Sequence, residues 1–135
     1  HLRGQLDVVA EPTEWLGHGR AVRMYPDLVL ERGGTPIYVG DAKYKLTADG
    51  VGRNPDYYQL LAYLTAMNLD EGVLIYCLHD GEIPPRCVDV RHTDKRLFTY
   101  ALDLSGRIED VEASLAKLAR WVHQRPRALA TTTAA

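Results

Sequence analysis

The sequence predicts an α/β fold in which helices cover a mixed β-sheet. Three observations support this prediction. Apolar or alternating segments of strand length recur along the chain, two amphipathic helical segments are set among them, and turns rich in glycine or proline separate the segments. The 135 residues suit one domain, and the hydrophobic fraction of 46% is typical of a folded globular protein.

The predicted elements are two groups of three strands, each followed by a helix. In chain order they are strands at 5–9, 21–31 and 36–45, a helix at 54–68, strands at 73–78, 86–92 and 97–103, and a helix from 105 to about 124. One domain is expected to span 1–127, and the low-complexity segment 128–135 is expected to be a disordered tail.

The first half of the chain predicts a hairpin followed by a helix. Pro26 interrupts its strand, because proline cannot donate to a ladder, so a bulge or an edge is expected there. The turn 32–35 (RGGT) joins this strand to the next one. Asn54 is predicted as the N-cap of the helix, since Pro55 and Asp56 suit a first turn.

In the second half, residues 73–78 (VLIYCL) lack alternation and indicate a strand buried on both faces. The last helix shows apolar residues at steps of three and four, at Ile108, Val111, Leu115, Leu118 and Val122. Basic residues near its end, Lys117, Arg120, Arg125 and Arg127, suggest either a DNA-backbone patch or, as the favoured explanation, charges that complement the helix C-terminus.

Composition and charge limit the classes of function. The net charge of −2 argues against a dominant basic field for nucleic acid and predicts weak DNA binding by this piece alone. Two cysteines and no apolar run long enough to cross a bilayer indicate a reduced, cytoplasmic protein without a membrane partner. The chain opens at His1 and is expected to come from a longer protein.

Two aspartates occupy strand positions where an apolar residue would be expected. Asp27 follows Pro26, and Asp41 lies in the next strand, two residues before Lys43. Because strand side chains alternate, Asp41 and Lys43 share one face, and the hairpin can bring Asp27 beside them. Converging carboxylates repel unless a cation lies between them, and oxygen ligands favour Mg²⁺ or Mn²⁺. With a lysine facing developing charge, this set is typical of phosphate-ester hydrolysis.

Gln59 and Tyr63 add a third element to this pattern. They lie four residues apart on the predicted helix, so they share one face and flank its apolar stripe. The helix follows the Asp41 strand after a short loop, so its first turns can lie near the end of that strand. By themselves, a half-buried Tyr63 and a surface Gln59 would be ordinary.

Together these residues resemble the motifs of the PD-(D/E)xK nuclease superfamily: Pro26-Asp27, then Asp41-Ala42-Lys43, then the helical pattern Gln59-x-x-x-Tyr63. Longer segments are similar to the McrC-type nuclease subunit of 5-methylcytosine-dependent restriction systems, namely 24–30 (MYPDLVL), 38–45 (YVGDAKYK), 56–63 (DYYQLLAY) and 72–76 (GVLIY). The resemblance covers roughly residues 15–125.

The resemblance implies a restriction-endonuclease-like mixed sheet flanked by helices and cleavage of double-stranded DNA that depends on Mg²⁺ or Mn²⁺. The residues it implies are Asp27, Asp41, Lys43 and Gln59 as catalytic residues, Asp27, Asp41 and the Ala42 backbone carbonyl as metal ligands, and Tyr63, Lys45 and Tyr58 as DNA-binding or supporting residues. A GTPase or AAA partner subunit is implied as well, and this chain contains no phosphate-binding loop motif of its own.

The sequence departs from the family pattern at its start. Many relatives carry an acidic residue on a helix before the Pro-Asp strand, and here only Glu11 and Glu14 are candidates, with no helix evident. The N-terminal region through which McrC-type proteins bind their GTPase partner also has no counterpart in so short a chain.

Two other functions remain open. A RecB-like repair or recombination nuclease shares the pattern of Gln59 and Tyr63, although two cysteines are too few for the four-cysteine iron–sulfur cluster that such nucleases often carry. The second alternative is a non-catalytic DNA- or protein-binding module with a nuclease fold. The complete set of Asp27, Asp41 and Lys43 argues against it.

Overall fold

A computed structural model shows eight strands and two α-helices within the residues it describes, 7–10, 12–43, 53–78 and 84–134. The strands are β1 (Asp7–Ala10), β2 (Glu14–Gly17), β3 (Ala21–Met24), β4 (Leu28–Arg32), β5 (Thr35–Lys43), β6 (Glu71–Leu78), β7 (Arg86–Asp89) and β8 (Arg96–Asp103). The helices are α1 (Asn54–Met67) and α2 (Ile108–Ala134), and a short 3₁₀ turn occupies His18–Arg20.

Six of the strands form one mixed sheet in the order β1-β4-β5-β6-β8-β7. The central pairs β5–β6 and β6–β8 are parallel, whereas β1–β4, β4–β5 and β7–β8 are antiparallel. Helix α1 connects the parallel strands β5 and β6, as a crossover between parallel neighbours requires. The predicted α/β class, a mixed sheet flanked by helices, is confirmed.

Each face of the sheet packs against one helix, because neighbouring strand residues point to opposite faces. Residues buried on the α1 face include Val29, Val39, Leu60, Leu64 and Leu74. Residues buried on the α2 face include Leu30, Tyr38, Val73, Tyr100 and Val122. By the same alternation, Asp41 and Lys43 follow Val39 on the α1 face of β5.

The prediction of a single strand at 21–31 is wrong. Its first part is β3, which pairs with β2 in a separate two-stranded sheet, and its second part is β4 in the main sheet. The break falls at residues 25–27, where Pro26 has no N–H to donate to a ladder. The predicted hairpin to β5 is confirmed, with Gly33 and Gly34 in the turn at φ of 59° and 81°.

Helix α1 ends within one residue of its predicted end, whereas its N-cap lies one residue earlier than predicted. Asn68 is the C-cap in the left-handed conformation, and its N–H and that of Leu69 satisfy the last carbonyls of the helix. The N-cap is Arg53 and not Asn54, because the carbonyl of Arg53 accepts the first helical bond from the N–H of Tyr57. The side chain at this position makes no capping hydrogen bond.

Helix α2 continues to Ala134, about ten residues past its predicted end near Gln124. The segment predicted as a tail, 128–135, therefore lies within this helix up to Ala134, where alanine and leucine have high helix propensity. As a result the basic residues expected to complement a helix end lie inside the helix. Arg125 has a different partner, the buried carboxylate of Glu71.

None of the helices among the described residues is long and apolar enough to span a membrane. The predicted loop 46–53 and the end of the predicted strand 36–45, including Lys45, fall largely or wholly outside the described residues. Strand β7 ends at Asp89, three residues before the predicted end, and is followed by a turn in which His92 has a φ of 65°.

Candidate active site

The candidate active site lies where β4 begins and β5 ends. The β4–β5 ladder stops at the pair Leu28 and Gly40, so the residues beyond it are released from strand pairing on this side. Asp27 directly precedes β4. Asp41 and Lys43 belong to the last three residue pairs between β5 and β6. Both chain segments therefore bring charged side chains to one end of the sheet.

The two aspartates are tied together by reciprocal contacts. The backbone N–H of Asp27 donates to Asp41 Oδ1 at 3.2 Å, and the backbone N–H of Ala42 donates to Asp27 Oδ2 at 2.8 Å. Each carboxylate is thus held by the backbone of the other segment. The structure brings Asp27 and Asp41 together, as the hairpin predicted.

Asp41 is a buried carboxylate whose side chain meets charges of both signs. It is only 4% exposed, and its Oδ2 lies 2.6 Å from Lys43 Nζ. Burial raises the pKa of Asp41, and the negative charge of Asp27 raises it further, while Lys43 acts in the opposite direction. The net effect is a raised pKa, and burial is its largest cause.

Lys43 is held by residues of α1 as well as by Asp41. Its Nζ donates to Gln59 Oε1, so the structure brings Gln59 into the site. Asp56 Oδ1 lies 4.0 Å from the same nitrogen. The sequence analysis placed Asp56 only in the first turn of the helix. Its spacing of three residues from Gln59 puts both on one helix face, and that signal could have found it.

Tyr63 on α1 is buried next to the segment that precedes Asp27. It is 3% exposed, and its hydroxyl donates to the backbone carbonyl of Tyr25 at 3.5 Å. Burial and the charges of Asp41 and Asp27 raise the pKa of Tyr63 to about 12, so the hydroxyl keeps its proton. Tyr63 is thus a buried residue whose hydroxyl contacts the backbone two residues before Asp27.

Tyr76 on β6 fixes the beginning of α1 and was not anticipated by the sequence analysis. Its hydroxyl donates to Asp56 Oδ2 at 2.8 Å and accepts from the backbone N–H of Arg53 at 3.4 Å. Burial and the contact with Asp56 raise the pKa of Tyr76. Tyr76 lies in an otherwise apolar strand, so the sequence alone does not indicate that its hydroxyl contacts the start of α1.

The remaining candidates lie apart from this cluster or outside the described residues. Tyr58 is 67% exposed on α1. Glu14 lies in β2 opposite Met24, on a strand and not on a helix. Lys45 and Glu11 lie outside the described residues.

The donor set suits a hard divalent cation that keeps bound water. Among the described residues, no group of three His, Cys, Asp or Glu side chains is gathered for metal binding. Mg²⁺, however, is commonly held by one or two carboxylates and completes its coordination with water. The N–H of Ala42 points to Asp27, and its carbonyl shares that side of the strand, where β4 has already ended.

The fold and the cluster define an α/β domain whose architecture is compatible with a nuclease-like fold. Residues 3–77 match the family described as McrBC 5-methylcytosine restriction system component. This match includes more than half of the 135 residues, and the chain belongs to this family. A comparison with curated protein sequences finds no match.

The fold is similar to a chain in a solved structure, the refined half-complex from the tetradecameric assembly of Thermococcus gammatolerans McrB AAA+ hexamers with bound McrC. The TM-score is 0.63 at 18% sequence identity, and the match covers 87% of this chain. At this identity the similarity shows the fold. The match covers 30% of that solved chain, so the chain studied here spans less than a third of its length.

Proposed function

We propose that this chain is the cleavage module of a McrBC-like restriction system and hydrolyses phosphodiester bonds of double-stranded DNA in a metal-dependent reaction. The observation that carries the proposal is the mutual anchoring of Asp27 and Asp41, with Lys43 bound to Asp41 at 2.6 Å. Membership of the family supports the role in restriction. It also favours this interpretation over a RecB-like repair nuclease.

Asp27, Asp41 and the Ala42 carbonyl are the groups that would hold Mg²⁺ or Mn²⁺. When bound, such a cation lowers the pKa of water and offsets the charge of the phosphate oxygens. The raised pKa of Asp41 fits this role, because a bound cation would offset the cost of keeping this buried carboxylate charged beside Asp27.

Lys43 supplies a fixed positive charge next to the carboxylates. Asp41 and Gln59 accept from two of the three N–H donors of its ammonium group, which leaves one donor for a phosphate oxygen or for the attacking water. A preorganised donor that faces charge developing in the transition state is worth about 10²–10³ in rate. Tyr63 and Tyr76 keep the surrounding backbone in place through Tyr25 and Asp56.

A AAA+ partner subunit is part of the proposal. The solved structure that shares the fold is described as an assembly of McrB AAA+ hexamers with bound McrC. A net charge of −2 gives this domain little long-range attraction for DNA. We therefore expect the partner, together with parts of a longer parent chain, to supply most of the affinity for DNA and the specificity for the cleavage site.

The test is cleavage of closed circular duplex DNA, with the AAA+ partner and without it. We expect cleavage that requires Mg²⁺ or Mn²⁺, stops with a chelator, and falls at least about 100-fold in Asp41→Asn. Asp94→Asn is the matched control, since it removes the same charge from an exposed turn residue. A closed circle has no free end, so its cleavage also separates an endonuclease from an end-dependent exonuclease.

Two results would contradict the proposal. Equal cleavage by the Asp41→Asn and Asp94→Asn variants would place the chemistry elsewhere. Absence of cleavage by the wild-type protein with metal and the partner present would favour the alternative of a non-catalytic module.

A further inference from the structure

The two-stranded sheet of β2 and β3, residues 14–24, forms a ribbon beside the candidate active site, and its composition differs from that of the whole chain. Residues 14–24 contain Arg20, Arg23 and His18 and a single acidic residue, Glu14, in a chain whose net charge is −2. The turn residues His18, Gly19 and Arg20 are all exposed. Positive charge is thus concentrated on a two-stranded sheet that is separate from the main sheet.

One face of the ribbon presents an ordered arginine. Trp15 and Arg23 are opposite one another in the β2–β3 register, and the Arg23 guanidinium lies 4.9 Å from the centre of the Trp15 ring. Arg23 Nη1 also donates to the Tyr25 hydroxyl at 3.0 Å. These contacts fix the plane of the guanidinium while the residue stays exposed.

The opposite face of the ribbon is anchored to the body of the domain. Met24 is 8% exposed in the core on the α1 face, and β2 packs against α1. Tyr25 joins the ribbon to the site, since its carbonyl accepts the hydroxyl of Tyr63 and Asp27 follows two residues later. Asp27 is four positions after Arg23, so their Cα atoms are at most about 14 Å apart.

We propose that the outer face of the ribbon, formed by Trp15, Arg20, Arg23 and Tyr25, binds the phosphate backbone of duplex DNA next to the bond that is cleaved. This inference rests on the proposed function and adds the surface that positions the substrate. A two-stranded ribbon fits a DNA groove, and a planar guanidinium matches the geometry of phosphate oxygens. The outer face contains no acidic residue, because Glu14 pairs with Met24 on the anchored face, and this favours DNA over a protein surface of mixed charge as the occupant.

The test measures binding of the full chain to a labelled duplex by fluorescence anisotropy, with a chelator present so that no metal-dependent cleavage occurs. Arg23→Gln should weaken binding several-fold and reduce the slope of log K against log salt concentration by about 0.9, the loss of one phosphate contact. Arg23→Lys should keep the slope but bind less tightly than wild type, since the planar fork is lost.

Arg32→Gln is the matched control. It makes the same change of charge at an exposed arginine at the far end of β4, and it should leave affinity and slope unchanged. Arg20→Gln, at the exposed tip of the ribbon, is the second variant and should lower the slope in the same way. Thermal unfolding of each variant shows whether the fold is retained, and Arg20→Gln decides the question if Arg23→Gln unfolds.

The inference is overturned if Arg23→Gln or a folded Arg20→Gln binds DNA with the affinity and salt slope of Arg32→Gln. Its failure is distinguishable from failure of the proposed function. Asp41→Asn should abolish cleavage but keep the wild-type salt slope, whereas the ribbon variants change the slope in the absence of any metal.

Discussion

Asp41 shows how a single residue links the fold to chemistry. A carboxylate that is 4% exposed is costly to keep charged, and the neighbouring Asp27 adds repulsion. The fold tolerates this cost by giving the two carboxylates backbone N–H donors and the Lys43 ammonium. Such a pair is an expected feature of a cation site and an unexpected one in an ordinary strand end.

Gln59 is the positioning residue whose role can be tested separately. Its amide oxygen accepts from Lys43 Nζ, so Gln59→Ala should lower the cleavage rate about 10-fold by freeing the ammonium, with no change in Mn²⁺ affinity. Gln59→Glu keeps an acceptor and should recover most of the rate. Steady-state cleavage and calorimetry check both effects. A lower Mn²⁺ affinity in Gln59→Ala would contradict this role.

The sequence predicted the charged residues of the site better than their partners. Alternation along two strands and a short hairpin were enough to place Asp27 near Asp41 and Lys43. Asp56 was not recognised, because an acidic residue in a first helical turn is common for electrostatic reasons alone. Tyr76 was not recognised, because its partner Asp56 lies twenty residues away on another element.

At the scale of elements, the face of the sheet opposite the site is held by a buried ion network. Glu71 on β6 is 0% exposed, and its carboxylate lies 2.8 Å from Arg96 Nη2 on β8 and 2.7 Å from Arg125 Nε on α2. Arg125 also lies over the rings of Phe98 and Trp121. The network therefore joins two strands to the C-terminal helix.

Glu71→Gln should destabilise the domain by about 3 kcal/mol, because it leaves two arginines facing a buried position without a negative charge. Glu112→Gln, at an exposed position of α2, is the control for the change of charge. Urea unfolding of both variants measures the difference in free energy. A change for Glu71→Gln no larger than that for Glu112→Gln would contradict the structural role of the network.

Element boundaries were predictable where local chemistry fixes them. The glycines of the β4–β5 turn adopt positive φ, and Asn68 ends α1 in the left-handed conformation. The ribbon was not predicted, because β2 and β3 contain four residues each and lack clear alternation. Its backbone is also unusual, with Val22 at a φ of 58°.

At the scale of the whole molecule, the two faces of the sheet carry different groups of residues. The α1 face carries the charged cluster, and the α2 face carries the ion network and an aromatic core. The net charge of −2 is compatible with the proposed function, since that function needs positive charge only at the site. The overall class was predictable from the order of the elements.

The central claim is that Asp27 and Asp41 form a divalent metal site, and a calorimetric titration with Mn²⁺ tests it most directly because it needs neither DNA nor a partner. We predict saturable binding by the wild-type chain, its loss in Asp41→Asn, and wild-type binding in the control Asp94→Asn. Absence of Mn²⁺ binding by the wild-type chain at millimolar concentration, or equal binding by Asp41→Asn, would contradict the account.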